Sequence, residues 1–390
     1  MTNVNVIGVG MNKFAKPGAS ADYPEMAEIA ITNAMEDAGV KYSDIQQAYA
    51  GYCFGDSCTG HRAVYGVGLT GIPIFNVNSA CSTGSTALYL ARQAIETGAV
   101  DCVLAVGFEL MEKGALGTSY PNRTSPMQPH FEASIKLAKF TDAPPAAQQF
   151  GGAGLEHMEK YGTSAEAFGL IAVKSRRHAA NNPYALFTSP LTLEDVMNAP
   201  HQYGPLTRLM CCPPTCGAAA AVLCSEDYAK KRGISDAVYI AGQTLTTDTE
   251  DSYKTRMGLA GYNMSEAAAR GLFEQTGSGP EDVDVVELHD CFTANELITY
   301  EALGLCPEGG AEQFIRDGDN TYGGKFVVNP SGGLMSKGHP LGATGLAQCT
   351  ELVWQLRGTA GKRQVEGARI AMQHNLGLGG SAVVTMYRKN

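Results

Sequence analysis

No run in this 390-residue chain approaches the roughly 20 apolar residues that a membrane-spanning helix requires. No basic segment precedes a short apolar stretch at the start, so no secretory leader is visible, and residues 4–10 read instead as a strand. Positive charge is sparse and scattered. The 29 lysines and arginines face 39 acids, a net charge of −10, which excludes nucleic acid and an anionic membrane surface as expected partners. A local helix N-terminus can still take an anionic ligand in an acidic protein. There is no low-complexity tract. With 44% hydrophobic and 17% charged residues the chain has globular composition and enough length for two or three domains around a large core. The eleven cysteines do not group into metal-binding pairs. Cys211, Cys212 and Cys216 lie close together, but Pro213-Pro214 interrupt them and no second cluster exists, so no metal is expected. Free thiols in a reducing, cytoplasmic setting are expected, and Tyr387-Arg388-Lys389-Asn390 is not a Ser-Lys-Leu-type peroxisomal address.

One stretch organises the rest. Asn76-Val77-Asn78-Ser79-Ala80-Cys81-Ser82-Thr83-Gly84 follows a turn-and-strand pattern at 71–75. After it, Leu88, Ala91 and Ile95 mark one face of a helix that Gly98 stops. Cys81 is therefore expected on a strand-to-helix turn. Unpaired N–H groups and the positive end of the macrodipole favour an anion at a helix start. A thiol so placed can ionise well below the free value of about 8.5. Ser79, Ala80, Ser82 and Gly84 are small enough to admit a substrate. The alternative, for any free cysteine, is a small buried hydrophobe.

Residues 1–120 alternate strand and helix patterns. Asp22-Tyr23-Pro24 starts a helix that Gly39 stops, with Met26, Ile29, Ala30 and Ala34 as its apolar face. Residues 45–51 and 100–107 read as strands, the second apolar almost throughout and so covered on both faces. This alternation predicts a mostly parallel sheet with helices on both sides. Composition shifts at about residue 117. Pro121, Pro126, Pro129, Pro144 and Pro145 break any long period, and helical pieces return around 165–180 and 193–197. Residues 121–200 read as an inserted, loop-rich domain. Its Lys174, Arg176, Arg177 and His178 form either a solvated helix face or a contact for a phosphorylated ligand.

Residues 217–224 look like a buried strand returning to the first sheet, and from 238 the order repeats. Residues 238–242 echo 4–8. Residues 282–288 run into His289-Asp290-Cys291-Phe292 as 45–51 run into Tyr52-Cys53-Phe54. Residues 329–345 lead into a helix stopped by Gly358, as the Cys81 unit leads into its own helix. A strand at 368–374, the loop Asn375-Leu376-Gly377-Leu378-Gly379-Gly380 and a strand at 381–387 close the chain. The repeat predicts two similar halves, 1–120 with 201–235 and 236–390, whose equivalent loops meet at a seam.

Four predicted strand ends carry unusual residues: Cys81, His289 with Cys291, His339 and His374. Ligands of such sheets sit beyond the carboxyl ends of strands. A cysteine nucleophile needs a base and a cavity for an oxyanion. His339 suits the base, on a glycine-rich turn between Gly338 and Pro340 that would leave its ring exposed; a structural turn residue is the alternative. The runs Asn78-Ser79-Ala80-Cys81-Ser82-Thr83-Gly84, His289-Asp290-Cys291-Phe292, Gly338-His339-Pro340-Leu341-Gly342-Ala343-Thr344-Gly345 and His374-Asn375-Leu376-Gly377-Leu378-Gly379-Gly380 resemble those of the thiolases. Most similar is the thiolase branch of the sterol carrier proteins, and the resemblance covers essentially the whole chain.

The resemblance implies an α/β thiolase fold: two half-domains in a five-layer αβαβα arrangement, a loop domain inserted in the first, and a homodimer. It implies cleavage of a 3-oxoacyl-CoA by free CoA, giving acetyl-CoA or propionyl-CoA and a shortened acyl-CoA, and the reverse condensation. CoA is then a substrate and no cofactor is expected. Cys81 is acylated, His339 activates its thiol, and His339 with His289 hold the thioester oxygen of the condensing group. The N–H groups of Cys81 and of the loop carrying His374, Leu376 and Gly377 hold the acyl-enzyme oxygen. Many thiolases have Asn-Glu where this chain has His289-Asp290 and a second reactive cysteine where it has His374, which makes Cys291 the second thiol. Retro-aldolases that act on steroid side chains or acyl-CoA with a partner protein are an alternative within the family. A non-enzymatic lipid carrier is another, and the chain is expected to lack an appended carrier domain.

Overall fold

The computed structural model describes residues 3–114, 120–138, 141–235 and 237–389. The compositional shift at about residue 117, and the limits set at 1, 236 and 390, fall outside the described residues. Ten strands form one sheet. In chain order they are β1 (Val4–Met11), β2 (Gln47–Gly51), β3 (Ile74–Val77), β4 (Cys102–Glu109), β5 (Gly217–Ser225), β6 (Val238–Thr246), β7 (Val285–Glu287), β8 (Val327–Val328), β9 (Ile370–Gly377) and β10 (Ser381–Lys389). Across the sheet they run β3-β2-β4-β5-β1 and then β6-β10-β9-β7-β8. Each strand of the second half stands where its counterpart stands in the first. Within the sheet, the two sets of strands join through the antiparallel pairs Val4–Ile240, Asn5–Tyr239 and Val6–Val238.

Parallel pairing is confined to β3-β2-β4 and β8-β7-β9. The remaining pairs are antiparallel. The expected mostly parallel sheet is therefore corrected to a mixed one. A strand takes a parallel place through a crossover connection, usually a helix. β10 instead follows β9 through a tight turn at 378–380, and β5 returns only after the long excursion between β4 and β5.

The helices that matter to the site are α1 (Tyr23–Ala38), α2 (Thr83–Glu96), α3 (Gln128–Leu137), α4 (Pro145–Tyr161), α5 (Ala165–Ala179), α6 (Tyr262–Thr276), α7 (Thr293–Ala302), α8 (Gly333–Ser336) and α9 (Thr344–Arg357). α1 begins as its sequence predicts, with the Asp22 carboxylate accepting from Tyr23 N–H, and ends on Gly39 at φ 65°. Its buried face includes Ile31, while Ile29 is exposed, a correction of the expected stripe.

Side-chain alternation along the strands builds the layers. In β4, Val103 and Ala105 face the seam, and Cys102, Leu104 and Val106 face α1. In β5, Ala219, Ala221 and Leu223 take the seam side, and Ala218, Ala220 and Val222 the other. α2 and α9 lie together in the seam, where Leu88, Ala91 and Ile95 share a core with Leu346, Leu352 and Val353. α1 covers the outer face of the first half, and α6 and α7 that of the second. The result is the five-layer αβαβα arrangement. Among the described residues no helix is long and apolar enough to cross a membrane.

Between β4 and β5 the chain is more helical than its prolines suggest. Pro145 opens α4 and Pro129 lies in the first turn of α3. A missing N–H costs nothing at those positions, so these prolines start helices and do not interrupt them. α5 also departs from both expected readings of its basic cluster. Lys174 is buried and paired with Glu296, and buried His178 bonds the Asn329 carbonyl at 3.0 Å and the Thr321 hydroxyl at 2.8 Å. Neither a solvated face nor a phosphate contact includes these two.

The seam closes around two glycines and one carboxylate. A Cβ on Gly107, in β4, would lie 2.1 Å from Gly342 O, and one on Gly342 would lie 2.3 Å from Phe108 O. Only glycine at both positions lets the loop before α9 touch the end of β4. There Glu109 is fully buried and accepts the N–H groups of Cys53, Phe54 and Gly342, each at 3.0 Å. Burial pushes this carboxyl up to about 7, against the pull of the three donors. Its ordinary value is 4.5, so the native state holds the proton more tightly than the unfolded chain does. The stability tied to this group therefore falls as pH rises between those values, by about 2.5 kcal/mol. Glu109→Gln should remove that slope. Urea unfolding of both proteins at pH 5 and pH 8 checks it: the wild-type-minus-variant difference is expected to change by about 2.5 kcal/mol between the two. A constant difference would overturn the assignment.

Candidate active site

β3 ends at Val77 and α2 begins at Thr83, with Ser82 as its N-cap. Cys81 stands immediately before the cap, as the pattern predicts. The turn is held from within. Ser79 N–H donates to Thr83 Oγ1 at 2.8 Å, Ser82 Oγ to Ser79 O at 2.8 Å, and Ala80 N–H to Asn78 Oδ1 at 3.1 Å. Ala80 has φ +50°, a strained value for a residue with a Cβ, directly before the half-buried Cys81. The expected lowering of the thiol pKa is not what the surroundings give. Burial first, and the Glu109 carboxylate second, push Cys81 up to about 12, while the Leu378 N–H pulls it partly back. The residue rests as a neutral thiol, and its proton must leave during attack.

His339 is buried, not exposed as its turn suggests. Its Nδ1 lies 2.7 Å from Thr344 Oγ1, and that hydroxyl donates to Pro340 O at 2.9 Å. The hydroxyl has a single proton, so it must accept from Nδ1–H. Nε2 is left with a lone pair, buried and without a hydrogen-bond partner among the described residues. Burial lowers the imidazole pKa to about 3, so the ring is neutral at physiological pH. Thr344, the first residue of α9, fixes both the ring and its tautomer. It is part of the Gly338–Gly345 run, and one helical turn from Pro340 is the signal that could have found it.

The His289 ring stands across the His339 ring at 84°, with centroids 4.9 Å apart. A ligand atom from each of Cys81, His289 and His339 lies within 4.8 Å of the other two. A soft divalent ion could be held by these atoms. Cys291 is buried, and its thiol pKa is pushed up by burial, then by the Cys212 and Cys81 sulfurs near it. Cys212, for which the sequence indicated no role, belongs to the same cluster. Its N–H donates to Cys291 O at 2.8 Å, Cys211 bridges to Phe292, and Pro214 bridges to His339. The 211–214 segment thus lies along both loops, and its significance is adjacency, not metal spacing.

Two buried carboxylates hold the loop that carries His339. Glu287 accepts from Ser331 N–H at 3.0 Å and pairs with buried Lys337 at 3.4 Å. Asp290 accepts from Leu334 N–H at 2.7 Å at the start of α8. His374 and Leu376 are placed differently from expectation. β9 runs past the expected strand end at 374 to Gly377, so Leu376 is a strand residue like His374, and by alternation both face α6. His374 lies 2.8 Å from Ser265 Oγ through Nε2, and its Nδ1 accepts the His289 backbone N–H at 3.4 Å. It supports His289 from behind. Leu376 packs on Gly261 in the outer core, and Gly377 ends the strand where a Cβ would meet Ser79 O at 2.3 Å. Asn375 is the residue of this strand that turns toward Cys81, with its Nδ2 3.1 Å from the Cys81 carbonyl.

Comparison with known proteins follows the same division of the chain. The profile described as "Thiolase, N-terminal domain" matches residues 4–227, and that described as "Thiolase C-terminal domain-like" matches 246–388. Sterol carrier protein 2 of Oryctolagus cuniculus is 56% identical over 394 residues, covering 100% of this chain and 72% of that protein. Acetyl-CoA acetyltransferase of Methanothermobacter thermautotrophicus is 36% identical, covering 100% of both chains. Among solved structures, the Ltp2-ChsH2(DUF35) aldolase shares the fold with a TM-score of 0.84 at 24% identity, covering 99% of this chain and 98% of that one.

Two outcomes test the resting state. Alkylation of Cys81 by iodoacetamide should keep rising with pH beyond 9, and exposed Cys58 should react before it. A plateau below pH 8 for Cys81, followed by peptide mass mapping, would reveal a standing thiolate and overturn the assignment. Thr344→Val keeps the shape but leaves the buried His339 N–H unpaired. It should lower stability by about 1–3 kcal/mol and slow acyl transfer at least tenfold, by roughly the 1.4 kcal/mol that such a factor represents.

Proposed function

The chain belongs to the thiolase family, and from that premise we propose that it is an acyltransferase that cleaves 3-oxoacyl-CoA with free CoA through acyl-Cys81. The observation that carries this reading is a His339 ring within 4.8 Å of the Cys81 sulfur through one nitrogen, with Nδ1 tied to Thr344 and Nε2 unpartnered among the described residues. Cys81 Sγ attacks the 3-oxo carbonyl while His339 Nε2 takes the thiol proton. The C2–C3 bond breaks, leaving the acyl group on Cys81 and an acetyl-CoA enolate. His289 and the protonated His339 hold the enolate oxygen, and the Cys291 thiol gives its proton to the enolate carbon. The Cys291 thiolate then takes the proton of incoming CoA, whose sulfur attacks the acyl carbonyl and expels Cys81, and the protonated His339 returns its proton to the Cys81 sulfur. N–H groups of Cys81 and of the 377–378 turn are the donors proposed for the acyl-enzyme oxygen. The 121–200 segment is proposed as the wall that meets the acyl chain, and the protein as cytoplasmic.

A retro-aldolase acting with a partner protein is the second reading, favoured by the shape shared with the aldolase complex. It needs no acyl-cysteine. A lipid-carrying role is suggested by the name of the rabbit relative alone. Loss of the acetoacetyl-CoA enolate absorbance that requires free CoA, with acyl mass on the Cys81 peptide, is the expected result. Acylation elsewhere, or full activity in Cys81→Ala, would sink the thiolytic reading. Cys291→Ala should still acylate at Cys81 but lose about 10²–10⁴ in turnover.

We also propose a homodimer through the free edge of β3. Beside that edge Leu69 is 78% exposed, Tyr65 46% and Phe75 45%, an apolar patch next to unpaired backbone groups. Sedimentation should give a dimer at micromolar concentration, and a stable monomer would refute it.

A further inference from the structure

The two histidines that face Cys81 carry their protons on different ring nitrogens, and one amide decides this. Asn375 Nδ2 lies 3.1 Å from the Cys81 carbonyl oxygen and 3.0 Å from His289 Nδ1. A carbonyl oxygen can only accept, so the amide group facing it must be the NH₂ and not the C=O. The other end of the amide agrees. Ser85, in α2, accepts from Gln373 Nε2 at 2.8 Å and donates to Asn375 Oδ1 at 2.8 Å. The NH₂ then also donates to His289 Nδ1, which must be the bare nitrogen, and the His289 proton sits on Nε2.

We infer that Asn375 is a positioning residue that locks His289 as the Nε2–H tautomer, so that this ring is a hydrogen-bond donor while His339 is a base. This rests on the thiolytic reading for its purpose, because a developing enolate oxygen needs a donor. It does not rest on that reading for its observation. His374 reinforces the arrangement from the opposite face. Its Nδ1 accepts the His289 backbone N–H, and Asn295 donates to the His289 carbonyl, so the backbone beneath the ring is held on both sides. The lock spans both halves of the molecule. Ser85 belongs to the first, and Asn375, Gln373 and His289 to the second.

Asn375→Asp tests it with little change in shape. The carboxylate replaces a donor with an acceptor, so it should draw the proton to His289 Nδ1. Imidazole ¹⁵N spectra of the histidine-labelled full chain, assigned with His289→Gln, should show a bare Nδ1 and a protonated Nε2 in the wild type. In Asn375→Asp, Nδ1 should gain a proton. The rate of acetyl-CoA methyl proton exchange with deuterated water, divided by the rate of Cys81 acylation, should fall about 10²-fold, the usual worth of one oxyanion donor. Ser85→Ala, which frees the far end of the amide, should move both readouts in the same direction by less. A wild-type proton on His289 Nδ1 overturns the inference without any variant. So does Asn375→Asp with unchanged tautomer and ratio. If the wild type neither acylates nor exchanges, the thiolytic reading fails, and the spectra still decide this one.

Discussion

The carboxylate of Glu109 accepts three backbone N–H groups from two loops of different halves, and the meeting of nucleophile and base follows from that contact. One loop continues β2. The other leads from His339 into α9. The shared core of α2 and α9 brings the two helix starts, at Thr83 and Thr344, into one layer, and the shared acceptor fixes the loops beside them. The cost is electrostatic. A buried carboxylate beside Cys81 opposes thiolate formation, and the His339 lone pair compensates by accepting the proton during attack. The site is thus built for coupled transfer between two neutral groups, with little standing charge before substrate enters.

Buried ionic groups recur behind the reacting atoms. Glu287 with Lys337, Asp290 on the start of α8, and Lys174 with Glu296 and Tyr300 all lie under the His289 and His339 loops. Such pairs seldom add net stability, because desolvation offsets most of their attraction. Their contribution here is geometric. Glu287 and Asp290 accept backbone N–H groups of the loop that carries His339, and Glu296 holds Lys174 and Tyr300 behind it.

Much of this was legible in the residues. Glycine-and-proline turns announced Cys81 and His339, and the repeated order of strands announced two halves. What escaped has physical reasons. An apolar run does not reveal strand direction, so the mixed sheet could not be told from a parallel one. Prolines that start α3 and α4 were indistinguishable from prolines in loops. The thiol pKa depended first on burial and then on Glu109, and both reach Cys81 only through the fold. The strand was ended at His374 and 375–377 were read as loop, which hid the continued alternation that sends Leu376 outward with His374 and Asn375 inward. An acid closing an apolar strand, as Glu109 closes β4, was the signal available and unused.

The halves touch through three backbone pairs and a helix layer to which each contributes one member. A cut after Arg232 and before Val238 would leave the strands of both halves whole. Each fragment would keep a complete five-strand sheet, yet one would own the nucleophile and the other every imidazole facing it. Catalysis in such a split chain would report reassembly itself: no fragment could be active alone, and recovered turnover would measure how well the two recognise each other.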